Sequence, residues 1–358
     1  MSIRWWTGSR SIGPTACSRS RRPARSIRTT IAAPARCSAS WCRILRSTPS
    51  CARRTSVTPT DPLIVLSASG DSGLQAGFIG LGDQGGPMAE MMLRAGCPVM
   101  VWARRPESLT AYVELGATTA ADPAALGAAC DVVGLCVTGD ADVREIVYTR
   151  GLLAAMRPGA VLMIHATIFP ETCREIARDA AGRGVIVLDA PVSGSAARAR
   201  AGTLLVIVGG DPAALERVRP LVETYAGPII EVGEVGAAMT AKLINNLMAA
   251  VNYATAYDAL ALAAELGLSP DHLREVALTG SGRNYGFELM PRAHRHDRAL
   301  HIARILGKDV ELALAALPQV RDAPLGQLAR RAIATIAGFA EGKGLLVTPS
   351  PPDPPTAS

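Results

Sequence analysis

Two kinds of hydrophobic pattern divide the chain, and the change falls near residue 236. From Gly77 to about Val235, short apolar runs recur at Gly77–Ile79, Val99–Trp102, Val132–Val137, Val161–His165, Val185–Ala190, Leu204–Gly209 and Ile229–Val232. Continuous apolar runs of this length read as strands buried on both faces. Helical stretches separate several of them, at Gly86–Arg94, Ala141–Tyr148, Pro170–Arg183 and Ala213–Tyr225. Strand and helix in alternation predict a mostly parallel sheet covered by helices on both faces. After Gly236 the rhythm stops. No glycine or proline occurs until Gly267, and Ala, Leu and Met dominate. That stretch predicts one helix of about thirty residues, roughly 45 Å long. Helical patterns then continue to about Ala337.

The first strand runs into "GFIGLGDQGG", where Gly80, Gly82 and Gly85 fit G-x-G-x-x-G. Three glycines alone are a weak signal of nucleotide binding. Here a strand precedes them, a helix follows, and a second strand follows that, as a mononucleotide-binding unit requires. The first glycine permits the tight turn. The second lets the backbone approach a pyrophosphate, and the third allows close helix–strand packing. The helix N-terminus adds unpaired N–H groups and a partial positive charge. Gly80, Leu81, Gly82 and Gly85 are therefore candidate cofactor-binding positions. The expected fold class is α/β, with an N-terminal Rossmann-type doubly wound sheet followed by an all-α domain. The expected boundaries are 1–74 for a disordered extension and 75–238 for an NAD(P)-binding domain. An all-α domain follows over 239–340, to which the resemblance described below assigns the substrate and dimerisation roles, and a disordered tail over 341–358.

Charge sharpens those boundaries. The chain carries a formal +6, yet residues 1–60 hold twelve arginines and no lysine or acid, which leaves −6 for the remainder. A basic, aperiodic segment of that kind is read as a disordered extension, against a targeting segment or a nucleic-acid or membrane arm. Nucleic acid is accordingly not the expected partner. No run of about eighteen apolar residues occurs, so no membrane-spanning helix is expected. Cys97, Cys130 and Cys136 lie in apolar surroundings and read as reduced, buried thiols of a cytoplasmic protein. His294 and His296 lack a third ligand, so no metal site is expected. Pro349–Ser358 holds five prolines in ten residues.

Lys242 and Asn246 stand four apart on the long predicted helix and share a face. Leu243, Ile244 and Leu247 flank them, so this face is read as buried. A buried lysine must be paired or lose part of its proton affinity. A lysine titrating near neutral pH is suited to general acid–base work.

Four segments must be explained together: the glycine turn, "DAPVSGSAARARAGTLLVIVGG" from Asp189, "GAAMTAKLINN" from Gly236 and "LGKDVELA" from Leu306. In this order they resemble the β-hydroxyacid dehydrogenase family, which includes 3-hydroxyisobutyrate dehydrogenase and tartronate and succinic semialdehyde reductases. The resemblance covers about residues 76–335. It implies that Lys242 is the general acid/base and that Asn246 orients the same oxygen. It implies further that Ser193, Gly194 and Ser195 bind the substrate carboxylate; the family more often has glycine where Ser195 stands. Lys308 would reach across the cleft toward the nicotinamide, and Thr167 would lie by the nicotinamide ribose. The family usually has a second hydroxyl where Ala166 stands. The partners implied are a small hydroxy acid or semialdehyde and a second copy of the chain in a homodimer.

Cofactor choice is read from the end of the second strand. An acid there takes the ribose 2′-hydroxyl of NAD, whereas arginine accommodates a 2′-phosphate. Trp102-Ala103-Arg104-Arg105-Pro106 has two arginines and no acid. NADP is therefore expected over NAD, with Arg104 and Arg105 as its contacts. Two other readings remain. Imine reductases share the architecture but generally lack the lysine. A catalytically silent NADP-binding protein with a basic arm would leave Lys242 and Asn246 unexplained.

Overall fold

The computed structural model describes residues 73–293 and 296–341, without the side chains of 290–297. The expectations for the basic extension up to residue 72, for the tail beyond 341 and for the His294–His296 pair lie outside the described residues.

Nine strands form one sheet: β1 (Ala76–Ile79), β2 (Val99–Trp102), β3 (Thr118–Thr119), β4 (Val132–Leu135), β5 (Val161–Ile164), β6 (Ile186–Asp189), β7 (Val192–Ser193), β8 (Leu204–Gly209) and β9 (Ala226–Gly233). Their helices are α1 (Gly85–Arg94), α2 (Thr110–Glu114), α3 (Pro123–Ala129), α4 (Asp140–Arg144), α5 (Leu152–Ala155), α6 (Pro170–Ala181), α7 (Ala196–Arg200) and α8 (Pro212–Val222). The first six strands are parallel, in the order β3-β2-β1-β4-β5-β6. The order reverses beside β1, so a crevice opens there at the carboxyl ends of β1 and β4. That is where doubly wound sheets bind dinucleotides.

Alternate residues of the strands feed two cores. Ala76 and Phe78 of β1 and Val161 and Met163 of β5 face the layer of α1, α7 and α8. Ile79, Leu162 and Ile164 face the opposite layer of α3, α5 and α6. The period of two along a strand thus serves both faces, which is why the strands read as unbroken apolar runs.

The structure departs from the expectation in three places. β8 runs antiparallel to β6 and β7, because a two-residue β7 turns the chain back before it. The strand expected at Ile229–Val232 is longer, Ala226–Gly233, and forms the edge strand β9, parallel to β8. The helix expected over Ala141–Tyr148 is α4 continued by a wider π turn, Glu145–Thr149. That wider turn brings both Ile146 and Val147 into the core.

The helical half begins with α9 (Ala237–Glu265), followed by α10 (Pro270–Thr279), α11 (Tyr285–Ala293), α12 (His296–Ala316), α13 (Pro318–Asp322) and α14 (Pro324–Ala340). α9, α12 and α14 enclose a third core around Leu243, Tyr257, Val310 and Ile336. By length and composition α9 is apolar enough to cross a membrane, yet half of its most apolar stretch is buried inside the protein. It is the central helix of this half.

Candidate active site

At the glycine turn each glycine has its own physical reason. Gly80 adopts φ 98°, and a Cβ there would run into the Cys136 carbonyl. Gly85 lies where helix and strand meet, and its Cβ would strike the Gly80 carbonyl and the Cys136 side chain. Gly82 is the opposite case. It is exposed, and a Cβ on it would meet nothing within 4 Å. The turn is thus fixed at its two ends and open in the middle, the shape of a cradle for phosphates. α1 begins beside it with no side-chain cap and no acid in its first turn. The Gln84 amide nitrogen is buried there without a partner. The unpartnered Gln84 Nε2, an uncapped helix start and an open glycine fit a dinucleotide pyrophosphate.

The two arginines after β2 differ. Arg104 donates to Asp142 and to Glu145, the latter at 2.7 Å. Glu145 also accepts from Arg150, which lies over the Trp102 ring. Arg105 is exposed and has no side-chain partner among the described residues. Only Arg105 offers an uncommitted guanidinium.

Across the crevice, α9 and α12 bring four polar side chains together. Lys242 is 8% exposed, Asn246 5% and Asp309 4%. Asn246 Nδ2 donates to Asp309 Oδ2 at 2.6 Å, and Asn246 Oδ1 accepts from Asn245 at 3.2 Å. A carboxylate only accepts, so this bond fixes the orientation of the Asn246 amide and leaves its second N–H available. The Lys308 ammonium lies 3.0 Å from Asp309 Oδ1, off the line of a hydrogen bond, so that oxygen keeps an open acceptor site. Lys308 instead donates to the Thr138 carbonyl (3.1 Å) and the Thr167 carbonyl (3.4 Å). Those carbonyls follow β4 and β5, so Lys308 spans from the helical half to the sheet.

Lys242 has no hydrogen bond or ion pair among the described residues. Burial pulls its ammonium down to about 8, opposed by the Asp309 carboxylate and reinforced by Lys308. Near neutral pH it passes readily between its charged and neutral forms.

Asp189, at the end of β6, is fully buried. Its Oδ1 accepts from the Gly236 N–H and its Oδ2 from the Met239 N–H, both at 2.9 Å. It therefore caps α9 from another element, one turn before Lys242. Burial raises its carboxyl, against the lowering effect of those N–H bonds. Four residues later the chain reaches the Ser193–Gly194–Ser195 loop. Ser193 and Gly194 are half-buried, and Ser195 is exposed at the start of α7 without capping it.

His165 and Thr167 leave the end of β5 in different directions. Thr167 is half-buried beside Lys308. His165 is buried in the core, stacked on Phe78 and edge-on to Tyr225. Its Nδ1 lies 2.7 Å from the Ala190 carbonyl, which makes Nδ1 the protonated nitrogen, while Nε2 is buried without a partner. Burial lowers its pKa to about 4.

Asp309 and Asp189 are the residues that sequence reasoning passed over. The signal for Asp309 is its spacing. Leu306, Val310 and Ala313 are buried on the same helical stripe, so Asp309 joins that stripe while Lys308 leaves it. The signal for Asp189 is a lone acid closing an apolar strand, "VIVLD".

Comparison with known proteins agrees with this architecture. The family model described as the NAD binding domain of 6-phosphogluconate dehydrogenase matches residues 75–259. The model described as NAD-binding of NADP-dependent 3-hydroxyisobutyrate dehydrogenase matches residues 236–344. The chain belongs to the β-hydroxyacid dehydrogenase family, enzymes that use NAD(P) to act on small hydroxy acids. It is similar to 3-hydroxyisobutyrate dehydrogenase of Pseudomonas aeruginosa, with 37% identity over 280 residues, covering 75% of this chain and 94% of that protein. It is also similar to the NAD-dependent L-serine dehydrogenase of the same organism, at 35% over 266 residues, 71% of this chain and 89% of that one. Among solved structures, Psf3 in complex with NADP+ and 2-OPP aligns with TM-score 0.69 and 29% identity, covering 75% of this chain and all 100% of that one. A 3-hydroxyisobutyrate dehydrogenase from Salmonella typhimurium aligns with TM-score 0.66 and 29% identity, covering 76% and 96%.

Proposed function

We propose that the protein is an NADP-preferring oxidoreductase for a small 3-hydroxy acid or the corresponding semialdehyde, with Lys242 as general acid/base. The observation that carries this is Lys242 itself. It is a buried lysine with no counter-ion in contact, lowered to about 8, one helical turn from an oriented amide. Structural lysines are normally exposed or paired. When bound, the nicotinamide supplies or takes up the hydride at the reacting carbon. In the oxidising direction neutral Lys242 removes the hydroxyl proton; in the reducing direction its ammonium returns a proton to the carbonyl oxygen. Asn246, held by Asp309, gives its second N–H to that same oxygen. Ser193, Gly194 and Ser195 receive the substrate carboxylate. Alignment and polarisation are the protein's contribution to the rate.

The cofactor sits with its phosphates over Gly80, Leu81, Gly82 and Gly85 in this reading, and Lys308 and Thr167 lie toward its nicotinamide end. Arg105 receives the 2′-phosphate, and Arg104 orders the loop through its acids. The exposed Ile244, Met248 and Leu262 of α9, with Leu266 just past its end, form the surface that a second copy covers in a homodimer. The test is an absorbance assay of small semialdehydes with NADPH and with NADH, for the natural chain and for Lys242→Ala. NADPH oxidation that depends on Lys242 supports the reading. Equal turnover by the variant sinks it.

A further inference from the structure

The substrate loop has a cation beside it that the reaction above does not use. Arg198 lies on α7, three residues past Ser195. Gly194 adopts φ 138°, and a Cβ added there would lie 3.1 Å from Arg198 Cδ and 3.3 Å from Arg198 Cβ. The aliphatic stem of Arg198 therefore rests against Gly194, and the glycine makes room for it. The other arginine of α7, Arg200, points away and donates to Glu90 of α1 at 2.9 Å. Two residues along a helix are about 200° apart, which accounts for the opposite directions.

On its own side Arg198 faces α11. Its charge acts on the Tyr285 hydroxyl. Tyr285 packs edge-on against Tyr253 of α9, with ring centroids 6.1 Å apart. Tyr253 follows Asn246 by seven residues, so it lies on the same face of α9 as Lys242 and Asn246. Arg198 thus rests with its stem on the Gly194 loop and carries its charge toward Tyr285 on the α9–α11 side. The acid nearest Tyr285, Glu288, is engaged by Arg283 at 3.1 Å. Arg198 itself is exposed and forms no hydrogen bond or ion pair through its side chain among the described residues. Its neighbours Arg200 and Arg283 are both paired; Arg298, whose charge acts on Tyr253, is also without a side-chain partner among the described residues, but Arg198 is the one whose stem rests on Gly194.

We propose that Arg198 is a specificity residue that binds a second anionic group of the substrate, at the end remote from the reacting carbon. This rests on the reading of the loop and of Lys242 given above. The guanidinium fork suits carboxylate and phosphonate alike. The preferred substrate is then a dianion: one carboxylate at Ser193 and Gly194, the second charge at Arg198, with a short carbon chain between.

The test compares 3-hydroxyisobutyrate with 2-(hydroxymethyl)glutarate, which carries a carboxyethyl group in place of the methyl. A phosphonate in place of the distal carboxylate makes a third arm. Each is titrated by calorimetry into the full chain with NADPH present, so that no turnover occurs. A charge-assisted contact predicts binding of the dianions tighter by about tenfold to a hundredfold. Arg198→Met should bind all three with the affinity of the monoanion, and Arg198→Lys should recover part of the difference. The arm with the greater loss in Arg198→Met names the distal group. The proposal is overturned if the natural chain binds no compound, if it does not discriminate, or if Arg198→Met keeps the preference. It is also overturned if Arg198→Met slows NADP+ reduction by 3-hydroxyisobutyrate, since Arg198 would then serve the first carboxylate. Failure of every compound to reduce NADP+ sinks the reading of the reaction, while the binding comparison still decides the role of Arg198.

Discussion

The two walls of the crevice are built by different means. The sheet wall works through backbone: a glycine turn held at Gly80 and Gly85, an open Gly82, and the uncapped start of α1. The helical wall works through buried side chains: Lys242, Asn246 and Asp309, all taken from water and placed by α9 and α12. Backbone donors keep their charge distribution at every pH. Buried ionisable groups respond to pH and trade stability for function. The contrast teaches where this protein is rigid by geometry and where it is poised by electrostatics.

The strongest way to break the contrast is at Lys242. Lys242→Ala should lower turnover by about 10²–10⁴-fold, the scale of lost general acid–base catalysis. Cofactor affinity, owed to the other wall, should stay within twofold or so, as a fluorescence titration would show. In the natural chain the oxidation rate should rise with pH and level off above about 8, and the reduction rate should fall above it. Folding should show the matching cost. The folded pKa lies below the unfolded value of about 10.4, so the penalty is full below pH 8 and is relieved as pH rises from there toward 10.4. Lys242→Met should therefore be more stable at pH 7 by about 1–3 kcal/mol, readable from urea unfolding.

Asp189 joins the walls. Asp189→Ala strands the buried N–H groups of Gly236 and Met239, and should cost about 2–4 kcal/mol by denaturant titration. Asp189→Asn keeps one acceptor and should cost about half as much. Unchanged stability in the alanine variant would show that α9 is anchored by packing alone.

A third perturbation belongs to the sheet. His165 is buried neutral, with a folded pKa of about 4, below the unfolded value. As pH falls from about 6.5, the unfolded chain takes up a proton that the folded one refuses. Stability should drop by about 3 kcal/mol by pH 4, and His165→Phe should flatten that limb of the profile. The smallest effect sharpens the cofactor side. Arg105→Ala should weaken NADPH about tenfold and leave NADH alone, while Arg104→Ala, already paired to acids, should change the ratio by less. Equal weakening of both cofactors would remove the 2′-phosphate from this loop.

How much of this was legible in the sequence follows from the same contrast. Backbone devices leave local marks, so Gly80, Gly82 and Gly85 could be read with their roles, and so could the order of strand and helix. Lys242 and Asn246 were legible as an i, i+4 pair on an apolar helix. Asp309 was not, because its partner Asn246 is sixty-three residues away and only the packing of α12 on α9 joins them. Arg104 and Arg105 look alike in sequence; the acids that separate them, Asp142 and Glu145, come from the π-turned segment beyond β4. β7 was obscured for a related reason: a two-residue strand carries too little apolar pattern to be seen, whereas the centre of β9, Ile229–Val232, was read as a strand.

Asp189 also sets what can move. α9 is fixed at its first turn to the end of β6, the same strand that leads into the Ser193–Ser195 loop. With 29 residues it is a lever about 44 Å long. A tilt of roughly 5° about that pinned end swings the far end by about 4 Å, enough to widen a cleft mouth. Lys242, only about 8 Å from the pivot, moves by less than about 1 Å in the same swing. The fulcrum lies next to Lys242 and the travel is spent far from it, so a swing of α9 would leave that side chain nearly in place.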